Sequence, residues 1–530
     1  MKQLNEFEKQ MLIYRIDNLK NLSNKDFMVS FAGIVNDFDL LQKEDIENLQ
    51  DHDWCRDNIK HEYTIIKSIS KNVSNTLVEE KKDNTGRQRY YDNVFYIRGK
   101  NVLLSSEWYD GTGRKPDNKT IFINWLRSFV NSHYSNGNLQ ARNNGIKINN
   151  IYRPYITAIK SKPFLLLAGI SGTGKSRIVR ELARACWDEG SEEFKAQKPK
   201  NFEMVQVKPN WHDSSELIGY VSRVSGSPVF VAGDFLKFVA KAWENPEVPY
   251  FLCLDEMNLA PVEQYFAEYL SVVESRKADD NGMITTDPIL KKSGEDWYRI
   301  LISELTTDKN VRDQFLNDGI AIPQNLIVVG TVNMDETTFS FSRKVLDRAM
   351  TIEMNEVNLY GGLDDRHEKI GKLKAGNLIG TAVEGVDVYR DHIDVCDTAL
   401  NYLQAVNLNL DGTPFKVAYR TRNEFLLYVV NNLPYNKDKD GQEIPQQEVI
   451  ARALDEITSM KILSRIEGDE TKVSASFLDG LGNTIKTSLV TVCPNLFEEG
   501  EGKKAYVSVS LAKLTEMKKR LTSGYTSFWS

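Results

Sequence analysis

The chain has 530 residues and a formal net charge of −7, from 67 Lys and Arg against 74 Asp and Glu. Its length predicts several structural units, and 41% hydrophobic with 27% charged residues is typical of folded proteins. The mild acidity argues against a histone-like or coat-like nucleic-acid binder. The five scattered cysteines argue against a disulfide framework, and no apolar run approaches the roughly 20 residues of a membrane span. We expect a cytoplasmic protein with no membrane segment.

Residues 1–150 are predicted to form a mixed α+β domain. Residues 4–70 show the apolar spacing of helices, whereas residues 89–125 hold strand and turn signals. This part carries a small basic excess, and the remainder of the chain is acidic. Such a charge difference suggests that the two parts have different partners.

Basic and aromatic residues concentrate between Lys81 and Trp125, and two interpretations of them stay open. In the first, the basic side chains neutralise DNA phosphates and the rings stack on bases. In the second, the sheet is solvated and the rings form its core. The candidates for nucleic-acid contact are Arg87, Arg89, Tyr91, Arg98, Trp108, Arg114 and Lys115.

From Pro163 onward, short apolar runs alternate with helical segments, which predicts a parallel α/β sheet. We expect strands at 164–168, 204–207, 250–254 and 326–331. Residues 385–470 show helical spacing again.

The strongest motif lies between the first of these strands and a predicted helix. It matches GxxxxGK[ST], the loop whose backbone amides bind nucleotide phosphates at a helix amino terminus. In that motif the lysine reaches the β- and γ-phosphates and the hydroxyl binds Mg²⁺. The cofactor-binding candidates are Gly169, Ile170, Ser171, Gly172, Thr173, Gly174, Lys175 and Ser176.

Two further strands end in polar residues. Asp255 and Glu256 follow the run from Tyr250, where Asp255 is a candidate to hold Mg²⁺ with Ser176, and Glu256 to polarise the attacking water. Asn333 ends the run from Leu326 and is a candidate to position that water. Taken alone, an Asn at a strand end more often caps a turn; the two motifs before it favour the catalytic interpretation.

These residues resemble the AAA+ NTPases, and among them the McrB-like branch, the motor subunit of methylcytosine-dependent restriction systems. The resemblance extends from about residue 163 to residue 467. Beyond the motifs above, it rests on Val207–Tyr220, Gly233–Phe235, Asp255–Glu268, Asn333–Thr338, Val345–Ala349, Tyr419–Glu424 and Lys461–Glu467.

The resemblance implies a fold and an assembly. It implies an AAA+ P-loop core at 151–358 with a parallel sheet, a helical lid at 359–475, and a carboxy-terminal extension of unclear role at 476–530. It also implies a homo-oligomeric ring, expected to be a hexamer. In such a ring Arg348, or Arg343 on the same stretch, reaches a neighbour's γ-phosphate, and Arg420 or Arg422 senses nucleotide from the lid.

The chain departs from the family pattern in two places. Arg348 lacks the additional arginines found beside the equivalent position, and the segment proposed to confer guanine preference reads Asn333-Met-Asp-Glu-Thr-Thr here. Guanine specificity is therefore not carried over; ATP is favoured and GTP stays open.

The leading functional hypothesis is a motor NTPase of restriction or phage defence that recognises DNA and activates a separate nuclease subunit. The alternative is a chaperone-like remodelling ATPase whose amino-terminal domain binds protein. The six histidines show no metal-ligand spacing.

Overall fold

The structure is a computed structural model that describes residues 6–38, 40–69, 81–82, 86–97, 100–111, 115–133, 150–224, 226–279, 283–334, 339–355, 359, 363, 367–437, 442–499 and 505–529. The chain divides into two compact units: residues 1–140 with 280–283, and residues 141–279 with 284–530. All five cysteines are free thiols. Within the ranges above, every helix is too short or too polar to cross a membrane.

Among its described residues, the first unit contains five α-helices and a three-stranded antiparallel sheet of order β1–β3–β2. Its helices are α1 Glu6–Asn18, α2 Asn24–Phe38, α3 Lys43–Gln50, α4 His52–Trp54 and α5 Asn118–His133. Its strands are β1 Ile66–Ser68, β2 Phe95–Ile97 and β3 Lys100–Leu104. The helical spacing predicted for residues 4–70 is confirmed for most of that segment.

Aromatic side chains form the core of this first unit. The ring of Phe27 meets Trp108 edge-on at 4.9 Å, and Phe31 meets Phe122 at 5.1 Å between ring centroids. Only 3% of Trp108 is exposed. Trp108 therefore serves packing, as the second interpretation of this segment expects, whereas Tyr96 is exposed.

The second unit contains the remaining strands and helices. Its strands are β4 Phe164–Gly169, β5 Phe202–Gln206, β6 Gly219–Ser222, β7 Val229–Ala232, β8 Tyr250–Asp255, β9 Lys277–Ala278, β10 Ile284–Leu290, β11 Ile320–Pro323, β12 Leu326–Asn333, β13 Met350–Glu353, β14 Glu467–Asp469 and β15 Tyr525–Ser527. Its helices are α6 Arg153–Ser161, α7 Lys175–Arg184, α8 Glu192–Lys195, α9 Asp234–Glu244, α10 Val262–Tyr265, α11 Ala267–Val272, α12 Asp296–Leu305, α13 Lys309–Asp318, α14 Arg343–Leu346, α15 Ala375–Leu378, α16 Val386–Tyr389, α17 Ile393–Asn409, α18 Tyr419–Asn432, α19 Gln446–Lys461, α20 Ala475–Val492 and α21 Val509–Leu521.

Five parallel strands form the central sheet, in the order β13–β4–β12–β8–β5. Asn333 of β12 pairs with Gly169 of β4, and Gln206 of β5 pairs with Asp255 of β8. This register brings the polar ends of three strands to one edge of the sheet. In open parallel sheets, ligands bind outside that carboxyl edge.

Strand β4 is buried along its whole length, and its side chains divide between two cores. Leu165 and Leu167 belong to one core, and Phe164, Leu166 and Ala168 to the other. This alternation is the two-residue period of a strand that is covered on both faces.

The first of these cores extends to the end of the chain. Leu514, Met517 and Leu521 of α21 and the buried Phe528 share it with Leu165 and Leu167. Strand β15 pairs with β14, and the Phe528 amide donates to the carbonyl of Ile466. The last described residues are therefore part of the same hydrophobic core as the sheet.

The four predicted strands are confirmed, each with slightly different ends. The fifth, β13, was not predicted, because Met350-Thr-Ile-Glu is short and lacks a continuous apolar run. It pairs with β4 and brings residues 353–355 next to the glycine-rich loop. The expectation of a mixed α/β chain with a parallel sheet is confirmed, and this sheet is compatible with a P-loop core.

Candidate nucleotide-binding site

The glycine-rich loop connects β4 to α7. Gly174 precedes α7 in the left-handed region at φ 83°, a conformation that favours glycine. Gly169 faces a different constraint, because a Cβ atom on it would lie 2.6 Å from the carbonyl oxygen of Met354. Both glycines of the motif therefore have a backbone reason to be there.

The lysine and the serine of the motif start helix α7. Lys175 is 6% exposed, and its Nζ donates to the carbonyl oxygens of Gly169 at 2.9 Å and Ile170 at 2.7 Å. The loop thus places an ammonium group and a helix amino terminus together, which suits an anionic ligand.

Strand ends β8 and β12 complete the constellation. The Ser176 hydroxyl donates to Asp255 Oδ1, which also accepts a hydrogen bond of 2.8 Å from the Thr331 hydroxyl. Thr331 accepts in turn from the Glu256 amide at 3.0 Å. One threonine therefore fixes both acidic residues that follow β8.

The side chains of Asp255 and Ser176 are of the kind that holds a magnesium ion. Mg²⁺ is usually held in proteins by one or two oxygen ligands together with substrate phosphates and waters. A carboxylate and a hydroxyl in mutual contact offer that set. Within the described ranges, no group of three or more His, Cys, Asp or Glu could hold a metal.

Glu256 has an unusual backbone conformation. At φ 53° and ψ 50° it lies in the left-handed region, a backbone conformation that destabilises the fold when the residue is not glycine. Its Oε1 accepts from Asn333 Nδ2 at 3.2 Å. Strained residues held in place by their surroundings concentrate at functional sites, and this one is turned so that its carboxylate meets Asn333.

Arg348 and Arg420 share one acidic partner within the chain. Arg348 Nε lies 3.3 Å from Glu274 Oε1, and Arg420 contacts Oε2 of the same carboxylate. Arg348 also donates to the carbonyl of Lys344 at 2.7 Å. The acidic partner of Arg348 is therefore Glu274, which is distant from it in the chain.

Arg343 and Arg422 have local partners. Arg343 donates to the carbonyl of Pro414 at 2.7 Å and lies over the Phe415 ring. Arg422 donates to Asn423 Oδ1 at 2.8 Å and lies over the Tyr419 ring. Of the two lid candidates, only Arg420 shares a partner with Arg348 in the part of the chain that the structure describes.

A buried charged triad connects helices α18 and α19 to the segment that carries Arg348. Glu424 of α18 contacts Lys162, and its Oε2 lies 2.8 Å from Lys461 Nζ. Lys461 is fully buried and also donates to the carbonyls of Leu346, Asp347 and Ala349.

Burial lowers the pKa of Lys461 to about 8, and the Glu424 carboxylate opposes that shift. The pKa of Glu424 is lowered because Lys162 and Lys461 outweigh its desolvation. Both groups are therefore charged at neutral pH.

The residues predicted to contact nucleic acid in the first unit differ in burial and in their partners. Trp108 is enclosed in the core and donates through Nε1 to the carbonyl of Ser105, so a role in base stacking does not fit this structure. Arg89 pairs with Glu107 at 3.2 Å and lies over the Tyr63 ring.

The remaining amino-terminal candidates differ in exposure. Arg87 and Lys115 are exposed, and Lys115 Nζ lies 3.6 Å from the Tyr109 ring centroid. Tyr91 is half-buried against the core. Arg98 and Arg114 lie outside the described residues. Nucleic-acid contact by Arg87 and Lys115 stays a prediction.

Several residues of the site were not identified from the sequence. Thr331 had a usable signal, because a spacing of two places it on the same strand face as Asn333. Glu274 had none, because its two arginine partners are far away in the chain. Glu424 and Lys461 stand in segments of the resemblance, but their contact with each other is long-range and has no local signal.

Two comparisons with known proteins bear on the site. A family described as "Domain of unknown function (DUF8727)" matches residues 380–525. The chain is also 25% identical over 203 residues to the "Type IV methyl-directed restriction enzyme EcoKMcrB subunit" of Escherichia coli (strain K12). That match covers 38% of this chain and 36% of that subunit, so the chain spans about a third of the length of this relative. The likeness supports a McrB-like relationship and, coarsely, a restriction-system NTPase.

Proposed function

We propose that the chain is an oligomeric AAA+ motor that hydrolyses ATP, or GTP, with Mg²⁺. The observation that carries the proposal is the meeting of Ser176, Asp255, Glu256 and Asn333 at the carboxyl edge of the sheet, beside a glycine-rich loop. Each of these residue types has a separate task in phosphoryl transfer. The two proposed magnesium ligands contact each other, and so do the two residues proposed to act on the attacking water.

The proposed mechanism assigns one task to each contact. Lys175 neutralises phosphate charge, and the loop amides orient the nucleotide. Asn333 holds the Glu256 carboxylate at its Oε1, leaving the other oxygen to orient a water for attack. When bound, Mg²⁺ would supply further charge neutralisation at the phosphates, with Ser176 and Asp255 holding it.

The proposed assembly is a homo-oligomeric ring, expected to be a hexamer, in the cytoplasm. Arg348 would act on a neighbour's γ-phosphate, with Arg343 as the second candidate, and Arg420 or Arg422 would sense nucleotide. We further propose that the ring works in restriction or phage defence, recognises DNA and activates a separate nuclease subunit. The partial likeness to a restriction-enzyme subunit supports this part.

Nucleotide binding by the unaltered chain and by Lys175→Ala tests the NTPase proposal. Losing a charged hydrogen bond of roughly 1.5–3 kcal/mol predicts an affinity for ATP lower by about 10- to 100-fold. Titration of a fluorescent ATP or GTP analogue measures this and also separates the two nucleotides. Lys241→Ala, on the exposed face of α9, is the matched control and should bind as the unaltered chain does. Equal binding by all three proteins would contradict the proposal.

A remodelling ATPase that binds protein is the second candidate. The enclosure of Trp108 and the pairing of Arg89 with Glu107 favour it, because both reduce the surface available to DNA.

Salt dependence of DNA binding by the full chain discriminates between the two candidates. If three phosphates are contacted, the affinity for a DNA duplex should fall about 40-fold between about 50 and about 200 mM salt. Replacing Arg87 and Lys115 with Gln should make that dependence shallower, whereas Lys486→Gln, an exposed control in the second unit, should not. No DNA binding at the lowest salt would favour the remodelling ATPase.

A further inference from the structure

Helix α21 is connected to the glycine-rich loop by a series of polar contacts, here called the Lys513 network. It comprises Lys513, Glu353 and Asn355. Lys513 Nζ donates to Glu353 Oε1 at 2.8 Å, and the Asn355 side-chain amide donates to the same oxygen. Asn355 Oδ1 accepts from the Ile170 amide at 3.0 Å.

The charge on Glu353 determines which way Asn355 faces. An ionised carboxylate can only accept hydrogen bonds, so it must meet the NH₂ group of Asn355. The carbonyl oxygen of Asn355 is then presented to Ile170, the second residue of the loop. Lys513 donates to the same Glu353 oxygen as Asn355 does, and so holds the carboxylate in the place where it meets that amide.

The position of Lys513 is itself tightly constrained. Its side chain is 2% exposed and lies over the Phe528 ring at 4.7 Å. At the start of α21, the buried Asp455 accepts from the Ser508 hydroxyl and the Val509 amide, each at 2.7 Å. The helix is therefore held firmly at the turn before Lys513.

The same stretch of chain packs directly against the loop. Met354 donates its amide to the carbonyl of Ala168 at 2.7 Å, and its carbonyl oxygen occupies the space beside Gly169. A shift of residues 353–355 would consequently displace the start of the loop. Backbone contacts of this kind fix where the loop lies, in addition to stabilising the fold.

We propose that Lys513 is a positioning residue for nucleotide binding, acting through Glu353 and Asn355 on the Ile170 amide. The inference rests on the proposed nucleotide-binding function and assigns a role to the carboxy-terminal helix. The contacts of Lys513 are with Glu353, Glu516 and the Phe528 ring rather than with the loop itself. It sets the loop geometry in which the amides that follow Ile170 bind phosphate.

A double-mutant cycle on the full chain tests this network. Lys513→Met should weaken binding of a fluorescent ATP analogue by about fivefold, the size expected for one net hydrogen bond. Asn355→Leu should weaken it by a similar factor. The two together should be no worse than Asn355→Leu alone, because the network is already interrupted at its last member.

The matched control is Lys518→Met on the same helix. Lys518 forms an exposed ion pair with Asp479 at 2.6 Å and should leave nucleotide affinity unchanged. If Lys513→Met does not fold, Glu353→Gln replaces it, because a neutral amide can donate to Asn355 and release its orientation. The same loss and the same non-additivity are expected.

The outcomes separate the inference from the function on which it rests. Unchanged affinity in Lys513→Met, or independent losses that multiply in the double variant, would overturn the positioning role while nucleotide binding stands. Lower thermal stability without lower affinity would also overturn it, because Lys513 would then be only structural. Absence of nucleotide binding by the unaltered chain would overturn both proposals.

Discussion

Replacing Glu256 with Gln is expected to lower the rate of nucleotide hydrolysis by about 10²–10⁴-fold, the usual contribution of a group that activates the attacking nucleophile. Glutamine has the same shape and can still accept from Asn333 Nδ2, so the site should keep its geometry. It lacks the negative charge that polarises water. Nucleotide affinity should therefore be unchanged while turnover is nearly lost, which identifies an interaction made mainly in the transition state.

A phosphate-release assay measures the turnover of the variant, and nucleotide titration of the same preparation measures its affinity. Glu263→Gln is the matched control, because it makes the same exchange at an exposed position seven residues further along. It should hydrolyse nucleotide at the rate of the unaltered chain. Substantial turnover by Glu256→Gln would remove Glu256 from the mechanism, whereas weakened binding would indicate that the loop had moved.

Lys461→Met is expected to lower the free energy of unfolding of the second unit by about 3–5 kcal/mol, the cost of removing one partner of a buried ion pair. Glu424 would keep only Lys162, and the carbonyls of Leu346, Asp347 and Ala349 would lose their shared donor. Methionine fills nearly the same volume, so the loss reports charge and hydrogen bonding rather than a cavity.

The denaturant midpoint of unfolding measures this effect. Lys416→Met removes an exposed ion pair with Asp411 and should change the free energy of unfolding by less than about 1 kcal/mol. Adding Glu424→Gln to Lys461→Met should lower the free energy of unfolding further, because the buried Lys162 then loses its carboxylate partner. A Lys461→Met protein as stable as Lys416→Met would show that the triad contributes little.

Local sequence was sufficient to predict the loop and the strands that carry Asp255 and Asn333. Glycine spacing, a following helix and buried runs of apolar residues are all short-range signals. The parallel sheet follows from their alternation. The register that pairs Asn333 with Gly169 then brings those strand ends together.

The parts that sequence could not predict depend on long-range contacts. Strand β13 has too few residues for a periodic signal, and only its pairing with β4 defines it. The same applies to Glu274, whose two arginine partners come from distant segments, and to Lys513, which reaches β13 from α21. Aromatic residues in the first unit were ambiguous for a related reason, since composition does not distinguish a stacking surface from a core.

The backbone of Glu256 has a consequence for how this chain tolerates change. A left-handed non-glycine residue costs roughly 1–2 kcal/mol, which glycine in the same place would avoid. Selection for stability alone would thus favour losing the carboxylate at this position. Thermal robustness and turnover are opposed at this single residue, so a variant library screened only for folding would be expected to enrich inactive proteins there.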